Sequence, residues 1–160
     1  MERKSYVQKY FDKGVKYAVI GVGALGNPKL RTKLYNNLCK IGFIIPTLIH
    51  PKAIIEPSAK LGEGCQIMAG AIVGSDAIVG DNCILNAGSI VSHDCILKDN
   101  VHLTPGSILA GSVTIGQNSI IGMGSSVYIG VTIGKNAVIM NGTSVVRDIL
   151  DSEVLKSSKI

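Results

Sequence analysis

The sequence predicts an all-β solenoid: a parallel β-helix of about five coils, preceded by a small α/β segment. Three observations predict it. From Ile55 to Val145 every sixth residue is Ile, Leu or Val, with no insertion to break the series. Four places after each of these, from Ala59, Cys65 and Ala71 through Ala137 and Thr143, the residue is nearly always small. Gly, Asn and Asp recur between the two positions. A fixed short period marks a solenoid, and a six-residue period marks a β-helix. The apolar spacings of three and four that a helix needs are missing from this stretch.

The first fifty residues read differently. Ser5 to Asp12 suits a short helix, and Tyr17-Ala-Val-Ile-Gly21 suits a buried strand. Asn27 and Pro28 form an N-cap and first-turn pair. Leu30, Leu34, Leu38 and Ile41 then give one apolar helical stripe, closed by Gly42. Phe43 to Ile49 reads as a second strand leading to His50-Pro51. Gly21-Val-Gly-Ala-Leu-Gly26 has the spacing of a dinucleotide-binding turn, but no acidic residue follows the second strand to hold a ribose. A tight turn packing helix on strand is the favoured reading, with a weak phosphate contact from its amides as the alternative.

Within the repeat each hexad is one short strand and one corner, and three hexads make an eighteen-residue coil. Position one points inward. Position five also points inward, because side chains alternate along a strand. One aliphatic per side, with small residues in the gaps, fills a narrow triangular core. Gly, Asn and Asp suit the corners, where positive φ is useful. The expected organisation is 1–50 as the α/β segment, 51–150 as the β-helix and 151–160 as a tail.

Composition narrows the function. The chain of 160 residues has a net charge of +5 and no Trp. Its basic residues cluster near the two ends and read as solvated surface or as attraction for anionic ligands. No aromatic-studded basic patch argues for nucleic acid. No apolar run is long enough for a membrane span, and the N-terminus lacks a signal core. Cys65, Cys83 and Cys95 all fall at inward position five. Buried free thiols are favoured over a Cys65–Cys83 disulfide, and the expected compartment is a reducing cytoplasm.

The chemistry-bearing stretch runs Asn86-Ala-Gly-Ser-Ile-Val-Ser-His93-Asp94 and on to His102-Leu-Thr-Pro-Gly. This stretch resembles that of the hexapeptide-repeat sugar acetyltransferases. Transfer from the thioester of acetyl-CoA, which the resemblance implies, needs a base, a group to fix the imidazole tautomer, and an N–H donor for the tetrahedral oxyanion. His93 and Asp94 suit the first two. Gly111 lies eighteen residues after His93, one coil above it, and its amide is the candidate oxyanion donor. The same column continues through Ile129 to Arg147, so a pantetheine arm along it would bring coenzyme A phosphates toward Arg147.

These motifs, the repeat as a whole, and the 17–49 segment with its His50-Pro51 entry resemble the hexapeptide-repeat sugar acetyltransferases. That family includes sialic acid O-acetyltransferases and UDP-amino-sugar N-acetyltransferases. The resemblance implies a left-handed coil, acetyl-CoA as co-substrate and no metal. It implies a sugar acceptor and homotrimers whose active sites lie between subunits. It further implies His93 as general base with Asp94 as its orienting carboxylate, Asn86 in substrate binding, and His102 near the acetyl group. His93 and His102 lie half a coil apart, so they share a site only where two chains meet. The outward column Ile72, Ile90 and Ile108 reads as such a meeting surface, as do Ile84, Ile120 and Val138 flanking His102. The chain departs from the family in its shortened nucleotide-sugar-binding-like N-terminal segment. It also lacks the family's Gly-(Asn/Val)-Pro-Ala-Lys segment after the last coil. Two rival classes remain: a non-catalytic β-helical assembly subunit, and a zinc-dependent β-helix using His50, His93 and His102.

Overall fold

A computed structural model of the chain describes residues 6–23 and 28–156. The chain divides into two compact units at Pro46/Thr47. The second half of Gly21–Gly26, from Ala24 on, together with Asn27, lies outside the described residues.

In the N-terminal unit, helix α1 spans Tyr6–Asp12 and helix α2 spans Pro28–Ile41. Ile20, Leu38, Phe43 and Ile45 form its small core, with Phe11 edge-on to Phe43. Gly42 closes α2 at φ 107°, donating its N–H to the Leu38 and Cys39 carbonyls. A side chain does not readily adopt that conformation. Two expectations are corrected here. Leu30 is exposed, and the inward turn of α2 presents the buried Arg31, whose Nη1 donates to the carbonyls of Ile20 and Val22 at 3.2 and 2.8 Å. Those carbonyls need a donor, so Arg31 shares the buried face of α2 with Leu34, Leu38 and Ile41. The strands predicted over 17–21 and 43–49 pair with each other through a single parallel bridge, Tyr17 with Ile44. Of these residues only Leu48–Ile49 forms a strand, which belongs to the second unit.

The second unit is a parallel β-solenoid of about six turns, consistent with a left-handed coil. Face I stacks seven strands, from Leu48–Ile49 through Ile84–Leu85 and His102–Leu103 to Val154–Leu155. Face II stacks six, Ile54–Ile55 to Ser144–Val145, and face III five, Lys60–Leu61 to Thr132–Ile133. Partners lie eighteen residues apart, as His102 with Ile84 and Ile120. Every position-one aliphatic from Ile67 to Val145 is buried, as are the position-five residues from Cys65 to Ile149.

The coil count exceeds the predicted five because both ends extend beyond the regular hexads. Leu48–Ile49, read as the end of the α/β segment, pairs with Gln66–Ile67. Thr47 Oγ1 fastens that end, donating to Gly62 O at 2.6 Å and accepting from Cys65 N at 3.1 Å. After Val145 the chain drops two residues from its period. Ile149 bridges Ile133, and Val154–Leu155 pairs with Val138–Ile139 at a spacing of sixteen. Asp148 and Asp151 fit the shortened coil by accepting from the amides of Thr132 and Lys135 at 2.7 and 2.9 Å.

Candidate active site

Each coil turns three corners. The corner between faces II and III carries the column Ser75, His93, Gly111, Ile129 and Arg147, one residue per coil. In the other two columns some amides are capped from the coil above, while among the described residues those of Ala69, Asp99 and Gln117 are open too. What sets the His93 column apart is that its open amide at Gly111 belongs to a buried residue. Between faces III and I, Asp81 and Asp99 each accept the amide of the residue one coil below, Glu63 and Asp81, at 2.8 and 2.9 Å. Between faces I and II, Asn141 does the same for Met123 at 2.9 Å. In the His93 column the residue above is an imidazole, a glycine, an isoleucine or an arginine, none of which supplies a carboxylate or amide oxygen. Among the described residues, the N–H groups of Ser75, His93, Gly111 and Ile129 have no acceptor. Gly111 is itself buried. A buried donor with nothing to donate to is costly unless a ligand completes it.

The side chains reinforce that reading. Asp94 sits at φ 58°, a left-handed corner conformation that Asp tolerates, with its N–H held by Ser75 O at 2.9 Å. This turn brings its Oδ2 to 2.8 Å from His93 Nδ1. A carboxylate only accepts, so Nδ1 is assigned the proton and Nε2 is left with its lone pair. The pair is open to solvent, at 59% and 58% side-chain exposure, so a substrate can reach it. The imidazole lies against Gly111: a Cβ placed on that glycine would fall 2.6 Å from His93 Nε2. The free lone pair and the unpartnered Gly111 amide therefore border the same small space.

Above Gly111 the corner turns apolar and exposed, with Tyr128, Ile129 and Val146. Tyr128 and Val146 were not singled out from the sequence. They stand in the column one residue before Ile129 and Arg147, and reading that neighbouring column would have found them. Arg147 ends the strip, but it is not an isolated cation. Its Nη2 pairs with Glu153 Oε1 at 2.7 Å, and its Nη1 donates to Asp148 O at 2.9 Å. The hydrogen bond from Arg147, with a second from the Leu150 amide, holds the Glu153 carboxyl below its usual range.

The remaining predicted residues are elsewhere in the chain. His102 stands on face I, on the far side of the coil from the His93 corner, and is only 2% exposed where an open surface was expected. Asn86 begins the corner between faces I and II, and its Oδ1 accepts the Ala87 amide at 2.8 Å. His50 begins the same corner two coils below, its Nδ1 accepting the Lys52 amide at 3.1 Å. Among the described residues no three His, Cys, Asp or Glu side chains gather around one point.

Comparison with known proteins bears on this arrangement. The bacterial transferase hexapeptide (six repeats) family matches residues 58–93, and the hexapeptide repeat of succinyl-transferase matches residues 112–147. PerB from Caulobacter crescentus, in complex with CoA and GDP-perosamine, is 38% identical with a TM-score of 0.88, and the alignment covers 92% of this chain and 70% of that one. A mutant of perosamine N-acetyltransferase from the same organism is 37% identical at the same TM-score, covering 92% of this chain and 69% of that one. The acetyltransferase domain of PglB from Neisseria gonorrhoeae, in complex with acetyl coenzyme A, is 37% identical at TM-score 0.79, covering 82% of this chain and 64% of that one. WeeI from Acinetobacter baumannii is 25% identical at TM-score 0.80, covering 91% and 72%.

Proposed function

The chain belongs to the hexapeptide-repeat sugar acetyltransferases, and from that premise we propose that it moves the acetyl group of acetyl-CoA to an amine or hydroxyl of a nucleotide-linked sugar, with His93 as general base. The observation that carries this reading is the His93–Asp94 hydrogen bond beside the unpartnered, buried Gly111 amide. His93 Nε2 takes the proton of the acceptor nitrogen or oxygen as that atom bonds to the thioester carbonyl carbon. Asp94 stabilises the imidazolium that forms. The tetrahedral oxyanion accepts the Gly111 N–H. The carbon–sulfur bond then breaks, and the departing sulfur takes the proton back from Nε2.

The other open amides of the column suit the amide carbonyls of a pantetheine arm, and Tyr128, Ile129 and Val146 suit its apolar stretches. Arg147, already bound to Glu153, keeps guanidinium N–H groups for a phosphate. The relatives' ligands, CoA with GDP-perosamine and acetyl coenzyme A, support the co-substrate and favour an amino sugar as the first acceptor to try. Among the described residues no helix is long and apolar enough to cross a membrane. The reading places the reaction in the cytoplasm, where acetyl-CoA is available.

We also infer that three copies assemble through face II. Its outward isoleucines Ile54, Ile72, Ile90 and Ile108 stack in register, the first and last well exposed, and the ladder runs up to the His93 corner. Asn86, half-buried at another corner, can meet substrate only at a neighbouring copy's site. His102 is given no part in this mechanism, because its own chain buries it.

The test is acetyl transfer from acetyl-CoA to nucleotide-linked amino sugars. His93→Ala should lower kcat by about 10²–10⁴-fold. Calorimetric CoA binding and thermal unfolding should stay as in the wild type. A His93→Ala protein as active as wild type removes the base. Wild-type protein that binds no CoA removes the enzymatic reading and leaves the assembly subunit.

A further inference from the structure

We propose that Gly111 is a positioning residue for His93: the missing side chain at 111 is the seat of the imidazole, separate from anything its amide donates to. No other hexad from Ile55 onward places glycine two residues after its inward aliphatic; that corner position otherwise holds Ser, Asp, Ala, Ile, Lys and similar residues. The backbone at 111 does not ask for glycine, since it is not among the residues at positive φ. The backbone of the next coil does not ask for it either. An added Cβ at Gly74, Gly116 or Gly122 would strike main-chain atoms of the coil above. At Gly111 the three nearest atoms all belong to one side chain: His93 Cε1 at 2.5 Å, Nε2 at 2.6 Å and Nδ1 at 3.2 Å.

The imidazole therefore occupies the volume that a methyl group at 111 would take. Its open side faces solvent, so under such a methyl the ring would swing outward while the coil stays closed. Swinging outward breaks the 2.8 Å bond from Nδ1 to Asp94 and carries Nε2 away from the Gly111 amide. Glycine at 111 thus fixes the rotamer in which base, carboxylate and donor face one space. Misplacement of a reacting group by about 1 Å can cost about 10²-fold in rate.

The activity part of this inference rests on His93 being the base; the structural part does not. Gly111→Ala separates the two roles of residue 111, because alanine keeps the backbone N–H. If the amide alone mattered, Gly111→Ala would transfer acetyl groups normally. The expected result is a kcat lowered by about 10²-fold with CoA affinity held within about twofold. The NMR signals of the His93 ring nitrogens, which report the Nδ1–Asp94 hydrogen bond, should also lose their response to Asp94→Asn. Thermal unfolding supplies the second readout. Most of any loss of Tm from Gly111→Ala should vanish in a His93→Ala background, because contacting residues couple and the ring supplies the three nearest atoms an added Cβ would meet. Wild-type kcat with unchanged His93 ring-nitrogen signals would overturn the proposal, and so would an equal Tm loss in both backgrounds. If His93→Ala itself proves active, the catalytic reading falls, while the ring-nitrogen signals and the unfolding cycle still decide whether Gly111 seats the ring.

Discussion

Ser119 illustrates how single residues hold this solenoid. Its hydroxyl points into the core, donates to Gly134 O at 2.7 Å and accepts from Ala137 N at 3.0 Å. Ser125 repeats the arrangement with Met140 O and Thr143 N at 2.9 and 3.1 Å. The corners turn main-chain groups inward, and a small hydroxyl at position five satisfies two of them at once. Ser89 occupies the same inward position, yet among the described residues its buried Oγ has no partner. The two serines should therefore respond oppositely to alanine. Ser119→Ala strands two buried backbone groups and should cost about 2–4 kcal/mol in denaturant unfolding. Ser89→Ala removes an unsatisfied group and should change stability by less than about 1 kcal/mol, toward greater stability. Equal losses at the two sites would refute this account of position five.

At the scale of the strand and its corner, cysteine does in the lower coils what serine does in the upper ones. The thiols of Cys65, Cys83 and Cys95 donate to the carbonyls of Gly80, Lys98 and Ala110 at 3.0, 3.2 and 3.1 Å, each fifteen residues further on. The hydrogen bond between Cys83 and Cys65, and then burial, push the Cys83 thiol well above its ordinary range, while the same bond lowers Cys65 and so offsets part of the pair's effect; burial also raises Cys95. A thiol raised in the folded state holds its proton where the unfolded chain has lost it. Its stabilisation is complete below the unfolded thiol's value, about 8.5, and is lost as pH rises through the folded one. The unfolding midpoint should fall above about pH 8.5, and Cys83→Ser, which keeps a donor, should flatten that fall. An identical alkaline slope in Cys83→Ser would assign the effect to other groups. The sequence makes the hexad period, its inward positions and the His93–Gly111 stacking legible, because each depends only on counting residues along a regular coil. It hides what depends on tertiary partners. Leu48–Ile49 looks like an α/β strand until Gln66–Ile67 is beside it. Arg31 reads as a surface charge until the carbonyls of Ile20 and Val22 need a donor. His102 has an outward register position, which says nothing about its burial.

At the scale of the whole solenoid each coil touches only its neighbours, so stability is nearly a sum over adjacent pairs and the ends open first. The last coil is the shortened one, and Glu153 ties it to Arg147 and to the Leu150 amide at 3.0 Å. Its carboxyl is held low, so the tie is present above the ordinary carboxylate range and disappears as pH falls through the lowered folded value. Protection of the Ile149 and Glu153 amides, relative to their intrinsic exchange at each pH, should fall over that acid range while Leu103 and Leu109 stay protected; a uniform loss of protection along the chain would contradict end-first opening. Lateral assembly follows a different rule, because it depends on one face rather than one end. A lysine at Ile90 would sit in the middle of the isoleucine ladder, where an unpaired buried charge is expensive. A lysine at Ile96 would sit on face III, outside the proposed contact. Wild type should sediment as a trimer, Ile90→Lys as a single 16.8 kDa chain, and Ile96→Lys as wild type. If the active site needs two chains, Ile90→Lys should lose acetyl transfer in proportion to its dissociation and recover it at high protein concentration. A fully active monomer would show that one His93 corner suffices, and a trimer that survives Ile90→Lys would move the interface to another face.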